Sequence, residues 1–266
     1  MVLINKVNKN HCYGKIEEIS SPSPDRIAPD CEVFGKCGGC DFRHISYEAE
    51  LKAKHQFIVD AFTRIGGLNP EFLPITGNKN LNGYRNKAQY PVGKNDKGET
   101  ACGFYAGRSH RIVPCENCQL EPVVFGNIKR FILEMAKEYK ISAYNEAEHS
   151  GVLRHICIRK GHYSGEICVT LVVRRFVPQL KALAFELRRN FPEITSITAN
   201  INKEITNVIY GSEEKVLYGN KSITDSMCGK IFSVSPLSFY QVNTPMAEVL
   251  YRKAAELAEP DGKTII

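Results

Sequence analysis

Cys31-Glu-Val-Phe-Gly-Lys-Cys37-Gly-Gly-Cys40 places three cysteines within ten residues, with five and then two residues between them. A Cys-x-x-Cys turn can direct two thiolates at one soft metal centre, and the two glycines give it the necessary backbone freedom. Three thiolates make an incomplete site, so we expect a fourth ligand from Cys115 or Cys118. Four thiolates suit an iron–sulfur cluster or an all-cysteine zinc knuckle, and the spacing alone leaves both open.

The composition is that of an ordinary globular protein. The chain is 43% hydrophobic and 24% charged. Its length of 266 residues is sufficient for one large domain or two ordinary domains. No stretch approaches the roughly 20 apolar residues of a membrane span, and no charged and then apolar leader opens the sequence. We therefore expect a cytoplasmic monomer without a membrane partner, in which the grouped cysteines bind metal or act in catalysis. The net charge of +6 permits a nucleic-acid partner without requiring one.

Capped helices and alternating strands are predicted along most of the chain. Residues 15–20 predict a strand and 21–25 a loop, as at the end of a small β-module. Ser46 is the predicted N-cap of a helix reaching about Ile65, whose apolar stripe we interpret as core. Prolines predict the starts of two later helices, one at Pro122 and one at Pro178 that ends near Asn190. Residues 82–92 predict a turn that leads into a strand, and further strands are predicted at 101–106, 154–160, 166–173, 194–201 and 207–210.

The last segment changes character. Residues 231–243 lead into a helix with Thr244 as its predicted N-cap and Pro245 at its first position, running to about Ala258. A turn at 260–262 and an apolar strand from 263 follow. An α/β nucleotide-binding unit begins with elements in this order, and residues 15–25 resemble the end of a small β-module. We therefore expect a chain that is truncated at both ends.

Several motifs, in this order, resemble one known family: Cys31-x5-Cys37-Gly-Gly-Cys40 with Arg43-His44, Gly83-Tyr-Arg-Asn-Lys-Ala88, Cys118-x-Leu120, Leu153-Arg-His155 and Ser238-Phe-Tyr-Gln-Val-Asn243. Over about residues 13–266 the chain resembles the RNA (uracil-5-)-methyltransferases of the 23S ribosomal RNA type. The resemblance implies a remnant of a TRAM β-barrel (1–30), a central iron–sulfur and RNA-binding domain (31–228) and the truncated start of a methyltransferase domain (229–266). The expected fold class is mixed α/β: an α+β central domain followed by the first elements of a Rossmann-like domain that uses S-adenosylmethionine.

The resemblance also implies ligands and cofactors. The cysteines that match the ligands of the family's [4Fe-4S] cluster are Cys31, Cys37, Cys40 and Cys118. Cys118 is preferred to Cys115 because it opens a Cys-x-Leu run. Gln241 matches a residue that contacts S-adenosylmethionine, although a glutamine here could instead fix the start of the following helix.

Ribosomal RNA is the expected partner. Phe239 would lie on the same face of an extended backbone as Gln241, where a flipped uracil could stack on it, or it would be a core residue. The candidate phosphate contacts, each of which could instead be a solvated surface charge, are Arg85, Lys87, Arg154, Arg159 and Lys160.

The family mechanism requires a cysteine nucleophile that adds to C6 of uracil and a base that removes the C5 proton. In the family both lie beyond the position of Ile266, so no catalytic residue is assigned and the fragment is expected to be inactive. Other interpretations stay open: a stand-alone zinc-knuckle RNA-binding module, an electron-transfer iron–sulfur protein, and a methyltransferase acting on tRNA.

Overall fold

The computed structural model describes residues 1–95, 98–259 and 262, and the chain divides into two compact units. The first unit comprises Met1–Glu32 and Cys40–Gly77, and the second comprises Val33–Gly39 and the described residues from 78 onward. Within this described part, no helix is long and apolar enough to cross a membrane. The strand predicted from 263 lies outside the described residues. So do parts of the turn predicted at 260–262 and of a turn that the sequence also predicts at 95–98, before the strand predicted at 101–106.

The first unit begins with an antiparallel hairpin of β1 (Val2–Val7) and β2 (Cys12–Ile16). The strand predicted at 15–20 was therefore wrong in position, and β1 was missed. Strand ends are decided by backbone pairing: the Asn8 amide donates to the His11 carbonyl in the turn, and β2 pairs with β1 only as far as Ile16. Side-chain alternation alone does not show where that pairing ends.

Helix α1 (Tyr47–Asp60) continues to Ile65, which confirms the predicted extent of the helix, but its last part, Ala61–Ile65, is a π-helical segment that was not predicted. Its N-cap is Ser46, whose hydroxyl accepts a hydrogen bond from the Ala49 amide at 3.3 Å, and Gly67 follows with φ +64°. The interpretation of its apolar stripe as core was wrong, since Phe62 is 44% and Ile65 87% exposed. A helical period shows which side chains share a face, and it does not show whether another element covers that face.

The second unit is built on a sheet of seven described strands in the order β5-β4-β3-β6-β7-β8-β9. Their bounds are Lys87–Lys94 for β3, Thr100–Tyr105 for β4, Ile112–Pro114 for β5, Leu153–Lys160 for β6, Ile167–Val173 for β7, Ile194–Ile201 for β8 and Glu213–Gly219 for β9. Neighbouring strands are antiparallel except β7 and β8, which are parallel and are connected through helix α3 (Gln179–Asn190). Helix α2 (Val123–Glu138) precedes β6. The mixed α/β class is confirmed.

The two faces of this sheet differ in chemistry. On one face Ile156, Ile158 and Leu171 join the main hydrophobic core with apolar side chains of α2 and α3. The opposite face is also buried, yet it carries polar side chains at alternate positions, among them Arg159 on β6, Thr170 on β7 and Thr198 on β8. Because buried polar groups are costly unless they have partners or bind a ligand, a functional site is expected on this second face.

The C-terminal elements were predicted less well. Residues 207–210 form no strand; β9 lies later, and a separate hairpin of β10 (Ile223–Met227) and β11 (Lys230–Val234) follows it. Helix α4 (Thr244–Ala258) was predicted, but its N-cap is Asn243, whose side chain accepts from the Met246 amide at 3.3 Å. Thr244 is instead fully buried and serves as a hydrogen-bond acceptor for Asn86.

Candidate functional site

Two of the sequence motifs meet in the second unit although they are 155 residues apart. The Asn86 amide nitrogen Nδ2 donates to the Gln241 carbonyl at 2.8 Å and to the Thr244 hydroxyl at 3.0 Å. The Asn86 backbone amide also donates to the Val242 carbonyl at 2.9 Å. Since Asn86 is only 5% exposed, these bonds fix the segment 238–244 against the start of β3, and we call this arrangement the motif junction.

A pair of cations lies beside the motif junction. Lys87 of β3 and Arg159 of β6 are directly paired in the sheet register. The Arg159 guanidinium is 4% exposed; its Nη2 donates to the Ser238 carbonyl at 2.7 Å, whereas Nε and Nη1 have no partner among the described residues. Burial lowers the pKa of Lys87, with the neighbouring Arg159 charge as the second cause, and burial also lowers the pKa of Arg159.

This cation pair lacks a counter-charge in the described part of the chain. The ion pairs between described residues include neither Lys87 nor Arg159, and a narrow pocket beside them is lined by Thr170 and Tyr210. Two adjacent cations on one sheet are unfavourable unless an anion neutralises them. The arrangement therefore suits an anionic ligand at the mouth of this pocket.

Phe239 and Gln241 project from the segment that the junction holds. Phe239 is 86% exposed, so the alternative of a core phenylalanine was wrong. Gln241 is partly buried, and its Nε2 donates to the Tyr251 hydroxyl of α4 at 3.4 Å. Its main-chain carbonyl anchors the junction, while the start of α4 is capped by Asn243.

The other predicted phosphate contacts fall into two groups. Arg85 is exposed just before β3, and Lys160 is half-buried at the end of β6, so both remain open to a ligand. Arg154 is not open to a ligand in this way, because its guanidinium is buried. It donates to the carbonyls of Asn202, Glu204 and Thr206 at 2.8, 2.8 and 3.3 Å. Its prediction as a phosphate contact is corrected to a structural role in fixing a loop.

The predicted cluster ligands are partly buried in this structure. Cys31 and Cys40 belong to the first unit, and Cys37 and Cys118 to the second, whereas Cys115 is buried. No three His, Cys, Asp or Glu side chains of the described residues are gathered so that they could hold a metal ion. Thiolates are the donors that a soft metal or an iron–sulfur cluster prefers.

Three cysteines outside the motifs, Cys102, Cys157 and Cys168, are buried and are best regarded as small hydrophobic residues. Burial raises the pKa of Cys102 to about 12 and that of Cys157 to about 11, so neither thiol is reactive. Cys168 is buried in the same way.

A buried polar network beside Cys115 was missed by the sequence reasoning. The Tyr90 hydroxyl donates to Glu121, and the Lys129 ammonium donates to the carbonyls of Cys115 and Glu116. Burial raises the pKa of Glu121 to about 7. The sequence feature that could have indicated this network is Lys129, which lies among the buried apolar residues of α2, since a buried lysine requires partners. The network fixes the loop that carries Cys115 and Cys118.

Relatives of the chain carry informative names. No family model matches it. Proteins named uncharacterized RNA methyltransferases are 39% identical over 266 residues in Clostridium tetani and 38% identical over 267 residues in Bacillus cereus, covering 100% of this chain and 58% of each relative. A Staphylococcus aureus protein of the same description is 36% identical over 265 residues, covering 99% of this chain and 58% of its own. The chain thus spans little more than half the length of these relatives.

A solved structure shows the same fold. The Pyrococcus abyssi tRNA (uracil-54, C5)-methyltransferase in complex with S-adenosyl-L-homocysteine matches 96% of this chain and 56% of its own, with a TM-score of 0.69 and 23% sequence identity. At this identity the match establishes the mixed α/β fold and nothing finer.

Proposed function

We propose that this chain is part of an S-adenosylmethionine-dependent methyltransferase that modifies C5 of uracil in RNA, with 23S ribosomal RNA as the substrate. The observation that carries the proposal is the motif junction, in which Asn86 joins two of the motifs on which the uracil methyltransferase resemblance rests. The similarity of the whole chain to proteins named RNA methyltransferases supports it.

In this proposal the cation pair binds RNA phosphate. A phosphate at Lys87 and Arg159 would supply the missing counter-charge and accept hydrogen bonds from the Arg159 nitrogens that lack partners. Arg85 and Lys160 would add contacts along the same backbone. Each neutralised phosphate releases counterions, so binding through this pair must weaken as salt rises.

Phe239 would receive the target base. Its ring is exposed, and Arg159 holds the carbonyl of the preceding residue, Ser238, at 2.7 Å. The stacking surface is thereby tied to the phosphate site, so one nucleotide could place its phosphate on the cations and its uracil on the ring. Stacking of this kind is worth about 1–3 kcal/mol per base.

The side-chain amide of Gln241 would contact the methionine part of the cofactor, which would supply the methyl group when bound. We propose that the cysteine that adds to C6 of uracil and the base that removes the C5 proton lie outside these 266 residues, and that the 266 residues alone are inactive. The residues described here would orient the base and hold the RNA, and they perform no covalent step.

We also propose that Cys31, Cys37, Cys40 and Cys118 bind a [4Fe-4S] cluster. The support is the cysteine pattern and the chemistry of thiolates; the described side chains do not gather into a metal site. The cluster would fix the RNA-binding region and take no part in methyl transfer, so the proposed function does not depend on it.

The test is a methylation assay with the full-length protein. It would be incubated with radiolabelled S-adenosylmethionine and transcripts of 23S ribosomal RNA and of tRNA, and the digested products would be analysed for 5-methyluridine. We expect 5-methyluridine in the ribosomal transcript, and Phe239→Ala should reduce it. Labelling of tRNA alone would overturn the substrate, and labelling of neither RNA would overturn the activity and favour a non-catalytic RNA-binding module.

A further inference from the structure

A second concave site lies in the same unit as the motif junction. It is a cavity of about 650 Å³, which is in the range of ligand pockets. Its lining comes from β3, β4, β5, the segments 144–147 and 206–209, and β6. Of the described residues that line it, none also lines the narrow pocket beside Arg159, so the two sites are distinct.

The wall formed by residues 202–209 is held in place by the protein itself. Arg154 donates to three of its carbonyls, and the Asn202 side chain donates to the carbonyls of Val208 and Ile209 at 2.7 and 3.0 Å. The Arg154 guanidinium also lies 4.6 Å from the centroid of the Tyr144 ring. A cavity whose wall is organised by a buried arginine is preorganised for a ligand.

The lining combines an exposed aromatic pair with a buried hydrogen-bonding group. Tyr105 and His110 are stacked, with ring centroids 5.1 Å apart and planes inclined by 21°, and His110 Nδ1 is 2.8 Å from a Glu146 oxygen. His155 lines the cavity, is 9% exposed, and its Nδ1 has no partner among the described residues. Burial lowers the pKa of His155 to about 4, so its imidazole is neutral near pH 7 and one ring nitrogen can accept a hydrogen bond.

The rim of the cavity is basic. Lys94 and Arg111 line it and are exposed, and the described ion pairs include neither of them. The acidic residue of the described lining, Glu146, is already paired with His110. The cavity therefore offers a buried acceptor inside, and a stacking surface and positive charge at its open side.

We propose that this cavity binds one unstacked nucleotide of the RNA, at a position other than the methylated uridine. The base lies against the Tyr105–His110 pair and bonds to His155, and its phosphate is held by Lys94 and Arg111. Single-stranded RNA is recognised through such splayed bases, stacked on aromatic or histidine rings. The inference rests on the proposed function only in taking RNA as the source of the nucleotide.

Filter binding of a single-stranded ribosomal RNA oligonucleotide tests the site. We expect Tyr105→Ala and His110→Ala each to weaken binding roughly tenfold, as for the loss of one stacked base. Phe185→Ala is the matched control, because Phe185 is an exposed aromatic of α3 outside the cavity. Affinities of both cavity variants within about twofold of the control would overturn the proposal.

A nucleotide titration separates this proposal from the proposed function. In histidine-labelled protein, AMP or UMP should shift the ring signals of His110 and His155, whereas ribose 5-phosphate, which lacks a base, should not. Equal shifts with all three probes would show a phosphate site and overturn base recognition. If the nucleotides shift both histidines but no RNA is bound, the cavity stands and the RNA-directed function fails.

Discussion

Replacing Asn86 by alanine removes the side chain that joins the two motifs. Asn86 is buried, and its loss takes away two donated hydrogen bonds and leaves the Gln241 carbonyl and the Thr244 hydroxyl unpaired; Thr244 is fully buried. A buried group that loses its partner costs about 1–3 kcal/mol, so we expect Asn86→Ala to lower the free energy of unfolding by roughly 2–4 kcal/mol.

Urea unfolding followed by circular dichroism measures this cost, and hydrogen exchange of residues 236–258 shows where it falls. Asn190→Ala is the matched control, because Asn190 Nδ2 also donates to a carbonyl, that of Glu186 at 2.8 Å, but is exposed. The control should lose less than about 1 kcal/mol. If Asn86→Ala costs no more than Asn190→Ala, or if exchange in the first turn of α4 does not accelerate, the junction does not hold the segment in place.

The remaining predictions concern charge, metal and pH. Lys87→Ala should make the slope of log affinity against log salt shallower by roughly 0.7 for single-stranded RNA, while Lys181→Ala on the exposed face of α3 should not change it; equal slopes in a filter-binding titration would leave Lys87 as a solvated charge. Protein purified without oxygen should contain roughly four irons per chain, and Cys37→Ser should contain almost none; zinc in place of iron in the wild type would contradict the cluster. The pKa of His155 is about 4 in the folded protein, against an ordinary value of 6.5. Because the unfolded chain takes up the proton first, His155 should lower the free energy of unfolding by roughly 3 kcal/mol as the pH falls from 6.5 to 4. Glu121, with its pKa raised to about 7, makes the protein more stable as the pH falls and so opposes the effect of His155. The measurement is therefore the difference in the free energy of unfolding by urea between wild type and His155→Gln at each pH. A difference that does not change with pH would contradict the buried neutral imidazole.

Local signals in the sequence were sufficient for much of the second unit. Pro178 and the apolar residues of 154–160 and 166–173 predicted a helix and two strands that the structure contains, because each depends on neighbours close in the chain. Strand β9 was missed because its sequence begins with three charged residues, Glu213, Glu214 and Lys215, and ends at Gly219, so that it resembles a polar loop. It is a strand because it pairs with β8, and that pairing is not visible in its own residues.

The candidate site was predictable in its motifs and not in its contacts. Lys87 and Arg159 were both candidates, but only the sheet register shows that they are neighbours. Arg154 has the same residue type and lies on the same strand as Arg159, yet it bonds to three carbonyls of a loop about fifty residues later. Whether an arginine is offered to a ligand depends on such long-range partners, which a sequence pattern does not contain.

Mass spectrometry of RNA from cells with and without the gene tests the account most directly. Nuclease fragments of 23S ribosomal RNA and of tRNA would be compared for 5-methyluridine in the wild type, the deletion strain, and deletion strains carrying the intact gene or its Phe239→Ala variant. We predict that one or more 5-methyluridines disappear from 23S ribosomal RNA on deletion, return with the intact gene, and return incompletely with Phe239→Ala. An unchanged 5-methyluridine content in both RNAs would contradict the proposed function.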